Sequence, residues 1–278
     1  MPVITFWSGK EKSIGQTVSA SVAATVTAIE NNYKVLLISA DFNDEMLETS
    51  FGAQESNKEI VKGLVQKVQM NLDSGIRGLL KLVDSNRITP EAIHDYTKIV
   101  FKNRLEILYS PININNDRDD SKFMEQIKTI IINASRYYDQ VFVDLKKGLT
   151  TKEQLEILDM SDVVVVNIDQ RLKTIEQLLS SEVITKMRNK VIWNICKNDK
   201  NSKYNAKNLL RRVLKNETIC ETDYNTLVWE ATQEGGIPEL MLRFRTVKEN
   251  GDDLIFITKI KKMVEEILLR YRQTRAGI

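Results

Sequence analysis

Five short apolar runs, separated by stretches with helical spacing, restrict what this chain can fold into more than any other feature. They are V-I-T-F from residue 3, V-L-L-I-S from 35, Q-V-F-V-D from 140, V-V-V-V-N from 163 and V-I-W-N-I from 191. A strand with no polar alternation must be covered on both faces, as in a parallel sheet. Between the runs lie helical patterns such as Phe123, Ile127, Ile130, Ile131 and Ala134. Strands alternating with helices imply right-handed crossovers, hence an α/β fold with a doubly wound, mostly parallel sheet flanked by helices. The 278 residues suit one such domain over 1–278. A helical elaboration is expected around 43–104, where Thr89-Pro90-Glu91 reads as an N-cap, an N1 proline and an acidic first turn. L-E-I-L-Y from 105 reads as a further short strand. An amphipathic helix around 253–272 is expected to bury Ile255, Ile260, Met263, Val264, Ile267 and Leu268.

In this architecture ligands sit at the carboxyl ends of the strands. The apolar runs end there at Ser39, Ala40 and Asp41, at Asp144, at Asn167 and at Asn194. The first run continues as F-W-S-G-K-E-K-S-I-G-Q-T-V-S over 6–19 and enters a helix of small residues. Strand, glycine-bearing turn and helix is the setting in which backbone N–H groups cradle phosphates. Where G-K-[ST] closes a phosphate loop, however, this chain has Gly15, Gln16 and Thr17.

Composition excludes several classes. With 40 Lys and Arg against 38 Asp and Glu, the net charge of +2 imposes no global field toward nucleic acid or membrane. Two cysteines, Cys196 and Cys220, offer no disulfide framework or clustered metal site. With no signal-like start and no uncharged apolar run of about 18 residues, a cytoplasmic protein is expected.

Taken in order, several segments resemble the MinD/ParA group of deviant phosphate-loop ATPases. They are W-S-G-K-E-K-S-I-G-Q-T, L-L-I-S-A-D from 36, I-T-P-E-A-I from 88 with R-L-E-I-L-Y from 104, and Y-D-Q-V-F-V-D from 138. S-D-V-V-V-V-N from 161, V-I-W-N-I-C-K from 191 and D-Y-N-T-L-V-W-E-A-T-Q-E-G-G-I-P from 223 complete the set. Within the group the chain looks most like the CpaE/TadZ branch, which positions pilus or secretion machinery. The resemblance covers nearly the whole length.

The resemblance implies ATP and Mg²⁺ as cofactors and a homodimer that sandwiches nucleotide. It assigns nucleotide contacts to Lys10, Lys12, Ser13, Ile14, Gly15, Gln16, Thr17 and Val18, and an adenine-reading role to Asn194. Mg²⁺ would be served, directly or through water, by Thr17, Asp41 and Asp144, with Asp41 also activating water. The chain departs from the family loop at the lysine before Thr17, which is Gln16, and at the early signature lysine, which falls on Glu11 between Lys10 and Lys12. Glutamine offers neutral donors where a lysine neutralises phosphate charge, so hydrolysis should suffer more than binding. The expectation is weak or absent ATPase activity in a protein that recruits a partner belonging to a membrane-associated machine. A Mg-ATPase cycling between monomer and dimer in DNA partition or cell division is the alternative; binding of another anion, such as a nucleotide second messenger, is a third.

Other residues have plainer expectations. His94 reads as a packed or surface residue, Cys196 as no cluster ligand because Cys220 lies in a different motif context, and Trp7 and Trp193 as buttresses of strand ends. Lys146 and Lys147 lie where relatives carry a switch-like loop; they read as solvated charge or as contacts to a phosphate or partner. Lys207, Arg211, Arg212 and Lys215 form a basic helical face, solvated or available for salt-dependent, non-specific DNA contact. The terminal helix is expected to pack on the sheet, although its mixture of Leu268, Leu269, Tyr271 and arginines also fits peripheral membrane contact.

Overall fold

The computed structural model describes residues 1–9, 14–41, 44–52, 75–110, 117–148, 150–248 and 251–276. Lys10, Glu11, Lys12 and Ser13 and much of the expected elaboration around 43–104 lie outside them.

Eight strands form one sheet: β1 (Val3–Trp7), β2 (Val35–Ala40), β3 (Lys98–Phe101), β4 (Leu105–Leu108), β5 (Gln140–Leu145), β6 (Val163–Ile168), β7 (Val191–Asn198) and β8 (Ile219–Asp223). Their order is β3-β4-β2-β5-β1-β6-β7-β8, and every pairing is parallel except β3 with β4. All five apolar runs are strands, and four of them (β1, β2, β5 and β6) are buried along their whole length. Successive side chains feed opposite layers: on β2, Leu36 and Ile38 enter one core and Val35 and Leu37 the other. The chain winds outward from β1 in both directions, toward β2 and toward β6. The resulting crevice opens at the carboxyl end of β1, where the chain leaves the sheet after Trp7.

Helix α1 (Gln16–Glu30) follows that turn and is buried around nearly its whole circumference. Its small residues make this feasible. Alanines bring it close to the sheet, and the hydroxyls of Thr25 and Thr27 donate back to the carbonyls of Ser21 and Ala23 at 2.7 Å, so burial strands neither of them. Helix α2 (Met46–Phe51) packs on the α1 side, and the opposite layer contains α3 (Ile76–Asp84), α4 (Asp117–Ala134), α5 (Lys152–Met160), α6 (Leu172–Leu179) and α7 (Glu182–Met187). The remaining helices are α8 (Ala206–Arg212), α9 (Thr226–Glu234), α10 (Ile237–Phe244) and α11 (Asp252–Ala276).

The segment with the expected N-cap at Thr89 is a 3₁₀ helix, Glu91–Tyr96, and the Thr89 hydroxyl accepts from Ala92 N–H at 3.2 Å. The terminal helix covers α1 and β8, but the buried face differs from the expected one: Phe256, Ile257, Ile260, Met263, Val264 and Ile267 are buried, while Ile255 is 45% exposed. That face therefore belongs to the core rather than to a membrane surface. Among the described residues, no helix is long and apolar enough to cross a membrane.

His94 is also accounted for. Its Nδ1 lies 2.9 Å from Glu106 Oε2, a carboxylate 1% exposed on β4 that also accepts from the hydroxyls of Tyr138 at 2.5 Å and Thr97 at 2.9 Å. Burial alone would push the Glu106 carboxyl up. The bonds from His94, Tyr138 and Thr97, with the Lys34 charge 3.5 Å away, outweigh it and hold the group below its ordinary 4.5.

Candidate functional site

The sheet register brings the strand-end residues together. Pairing of β2 with β5 sets Ser39 beside Asp144, and pairing of β1 with β5 sets Phe6 on its other side. Asp144 therefore emerges beneath the first turn of α1. Gly15 immediately precedes that helix with φ +101, a left-handed conformation that glycine adopts without strain.

Gln16 and Thr17 both turn inward to Asp144. Gln16 Nε2 donates to Asp144 Oδ1 and to the Leu145 carbonyl, each at 2.7 Å, and Thr17 Oγ1 donates to Asp144 Oδ2 at 2.7 Å. Gln16, Thr17 and Asp144 are each 1% exposed. Both neighbours of the Gln16 amide are acceptors, which fixes its orientation with the NH₂ group inward. Its Oε1 is buried without a hydrogen-bond partner among the described residues.

A second group surrounds Lys147. Its ammonium pairs with Asp44, lies 3.3 Å from Asp41 Oδ2 and 4.0 Å from Asp144 Oδ2, and its backbone N–H donates to Asp41 Oδ2 at 3.3 Å. The lysine side chain is only 13% exposed, so the solvated-charge expectation for Lys147 is corrected. Burial would lower its pKa, but the charges of Asp144, Asp41 and Asp44 raise it, and the ammonium stays protonated. Asp41 is pushed up by burial and by the neighbouring Asp144 and Asp44, while Lys147 pulls it back.

Thr17, Asp41 and Asp144 thus converge, as a Mg²⁺ site requires, but the donor set does not fit the ion as it stands. Mg²⁺ demands close octahedral oxygen coordination. Here the ammonium lies among the carboxylates, and no group of three or more His, Cys, Asp or Glu among the described residues is arranged to hold a metal.

Asn194 lies apart from this group. It pairs in register with Asn167 across β6 and β7 and is completely buried. Its Nδ2 donates to Asn167 Oδ1 at 3.0 Å and Ser19 Oγ at 3.1 Å, and its Oδ1 accepts from the Thr222 hydroxyl at 3.1 Å. Both ends of the amide are engaged inside the protein. Cys196 completes this cluster as a neutral thiol that burial pushes up to about 12.

Above the two groups opens a cavity of ≈ 830 Å³, bounded by Gly15, Gln16, Thr17 and Val18 on one wall and by Asp41, Asp44, Glu45, Lys146 and Lys147 on another. Lys197, Asp223, Tyr224, Asn225 and Trp229 close the far side. Tyr224 and Trp229 are 58% and 43% exposed. Asp223, Tyr224, Asn225 and Trp229 belong to the D-Y-N-T-L-V-W segment, to which the sequence assigns no role, and nothing in the sequence marks Asp44 as a site residue. Ile14 is buried, and Lys207, Arg211, Arg212 and Lys215 are exposed on and just after α8.

Neither a family model nor a curated protein sequence matches this chain. Solved structures do. A ParA family ATPase from Chlorobium tepidum TLS superposes with TM-score 0.68 at 14% identity, covering 95% of this chain and 98% of that one. A protein from Borrelia burgdorferi B31 described as a plasmid partition protein, bound to AMPPNP, gives 0.64 at 18% identity over 97% and 98%. The MinC:MinD cell division complex of Aquifex aeolicus gives 0.62 at 18% identity over 96% of each chain.

Proposed function

The chain has the P-loop fold shared by ParA and MinD ATPases, and from that premise we propose a MinD/ParA-like positioning or scaffold protein with weak or absent ATP hydrolysis. It would dimerise around a nucleotide and recruit a protein belonging to a pilus, secretion or conjugation machine, as CpaE/TadZ-type proteins do. Localisation would be cytoplasmic, with recruitment to a membrane or pole through the partner.

The observation that carries the catalytic part is the Gln16 amide. Both of its N–H groups are spent on Asp144 and the Leu145 carbonyl, so the side chain brings no charge and no free donor to a developing phosphate charge. Nucleotide binding is supported by the cavity at the strand ends, and by the AMPPNP carried by the Borrelia protein of the same fold. Within the cavity, Val18, Thr17 and Gly15 line the wall where phosphates would lie, and Lys10, Lys12 and Ser13 would complete the cradle. The base would lie toward Tyr224 and Trp229 rather than against the enclosed Asn194 amide.

Calorimetry with ATP and ADP, with light scattering on the same samples, tests the reading. Binding that drives dimerisation, with turnover far below that of intact relatives, is the expected result. Turnover at their rate refutes it. The convergence of Thr17, Asp41 and Asp144 favours the second reading, an active Mg-ATPase, which predicts that Asp41→Ala abolishes turnover while binding persists.

A further inference from the structure

We propose that Lys147 is a built-in cation that takes the place of a divalent metal, so that this cleft excludes Mg²⁺ and binds its nucleoside polyphosphate as the metal-free anion. The inference rests on the cleft being a nucleotide site, but the exclusion of metal stands without it.

The argument begins with charge. Asp41, Asp44 and Asp144 bring three carboxylates to one end of the cavity, and such a cluster needs a cation. Lys147 supplies one covalently. It is three residues past Asp144, and its backbone N–H also holds Asp41, so both the loop and its side chain are fixed at the cluster. Gly148 helps fix the loop: at φ +113, its N–H donates to the carbonyl of Gly9 at 3.3 Å, fastening the segment after β5 to the segment after β1.

A metal entering here must displace an ammonium whose effective concentration is set by a short tether, and must also shed its own waters. Mg²⁺ dehydrates reluctantly, whereas the lysine is already in place. Asp144 is further committed: one oxygen accepts from Gln16 and the other from Thr17. Gln16 and Lys147 therefore meet Asp144 from opposite sides: the helix side brings a neutral amide, and the loop side brings the positive charge.

Two measurements test this. The first titrates the wild-type chain with ATP and with ADP, in EDTA and again in excess Mg²⁺. Binding is expected to be tighter in EDTA and weaker in excess Mg²⁺, which ties up the nucleotide as its metal complex, whereas affinity that is equal in the two buffers or that needs the metal overturns the proposal. The second follows Mn²⁺ by electron paramagnetic resonance without nucleotide, comparing the wild type with Lys147→Met and Lys147→Arg. Lys147→Met should bind Mn²⁺ at least about tenfold more tightly than the wild type, because three carboxylates are left without their cation. Lys147→Arg, which keeps the charge, should behave as the wild type.

Equal Mn²⁺ binding by wild type and Lys147→Met overturns the proposal. If no nucleotide binds in either buffer, the functional reading fails and the Mn²⁺ comparison alone decides the role of Lys147. If Lys147→Met does not fold, the wild-type titrations decide instead.

Discussion

Replacing Gln16 tests whether the buried amide is a structural tie to Asp144. In Gln16→Ala the Asp144 carboxylate loses a charge-assisted bond and the Leu145 carbonyl loses its donor, both at 2.7 Å and both buried. The first loss costs about 1.5–3 kcal/mol and the second about 1 kcal/mol, to which a stranded carbonyl and a small void add. Removing the unpartnered Oε1 returns about 1–2 kcal/mol. The net expectation is a loss of about 2–4 kcal/mol, read as a lower urea midpoint at unchanged slope and a melting temperature lower by about 5 °C or more. Chemistry at the same position gives a sharper test. Lys at 16 can donate to the same two oxygens and should stay within about 1 kcal/mol of the wild type. Glu at 16 sets a carboxylate against a carboxylate and should be the least stable of the three. A Gln16→Ala loss below about 0.5 kcal/mol, or a Glu variant as stable as the Lys variant, refutes the tie between α1 and β5.

Three further outcomes are expected. Because the folded Glu106 carboxyl titrates below its ordinary 4.5, its contribution is present above that pH and is lost as pH falls through the folded value; Glu106→Gln should flatten the acid limb of urea-measured stability between about pH 5 and 3. Ile260 is wholly buried in the face of α11 that covers α1, so Ile260→Ala should cost about 2–5 kcal/mol in denaturant titration. Under the DNA-binding reading of the basic face, Arg211→Glu with Arg212→Glu should reduce the slope of log affinity against log salt by about 2 in fluorescence anisotropy, and an unchanged slope retires that face.

The strands legible in the sequence were those covered on both faces, because only they carry uninterrupted apolar runs. The short run on β4 was legible too. The edges were not: β8, I-C-E-T-D, alternates half-buried with buried residues, and β3 is half-exposed, so neither stands out from a polar segment. The buried face of α11 was displaced because a period near 3.6 over 25 residues admits more than one stripe. Phe256 and Ile257 won over Ile255 through contacts that only the fold supplies. At the site, Gln16, Thr17, Asp41 and Asp144 were legible from spacing along the chain and from the family resemblance. Lys147 was not, since two lysines before a glycine look like solvated charge until β2 and β5 pair and carry Asp41 and Asp44 to them. The Asn167 and Asn194 pair was hidden for the same reason: two strand-end amides read as facing a ligand until register sets them side by side.

The tryptophans divide unevenly between interior and cavity. Trp7 and Trp193 are 3% and 0% exposed within the core, whereas Trp229, on the cavity wall, is 43% exposed. The chain therefore carries its own optical probe. Iodide or acrylamide reaches one emitter of three, and the quenchable, red-shifted fraction of the fluorescence reports on the cavity mouth alone. Anything that enters the cavity or closes over it becomes visible without a label, against a constant background from the two interior rings.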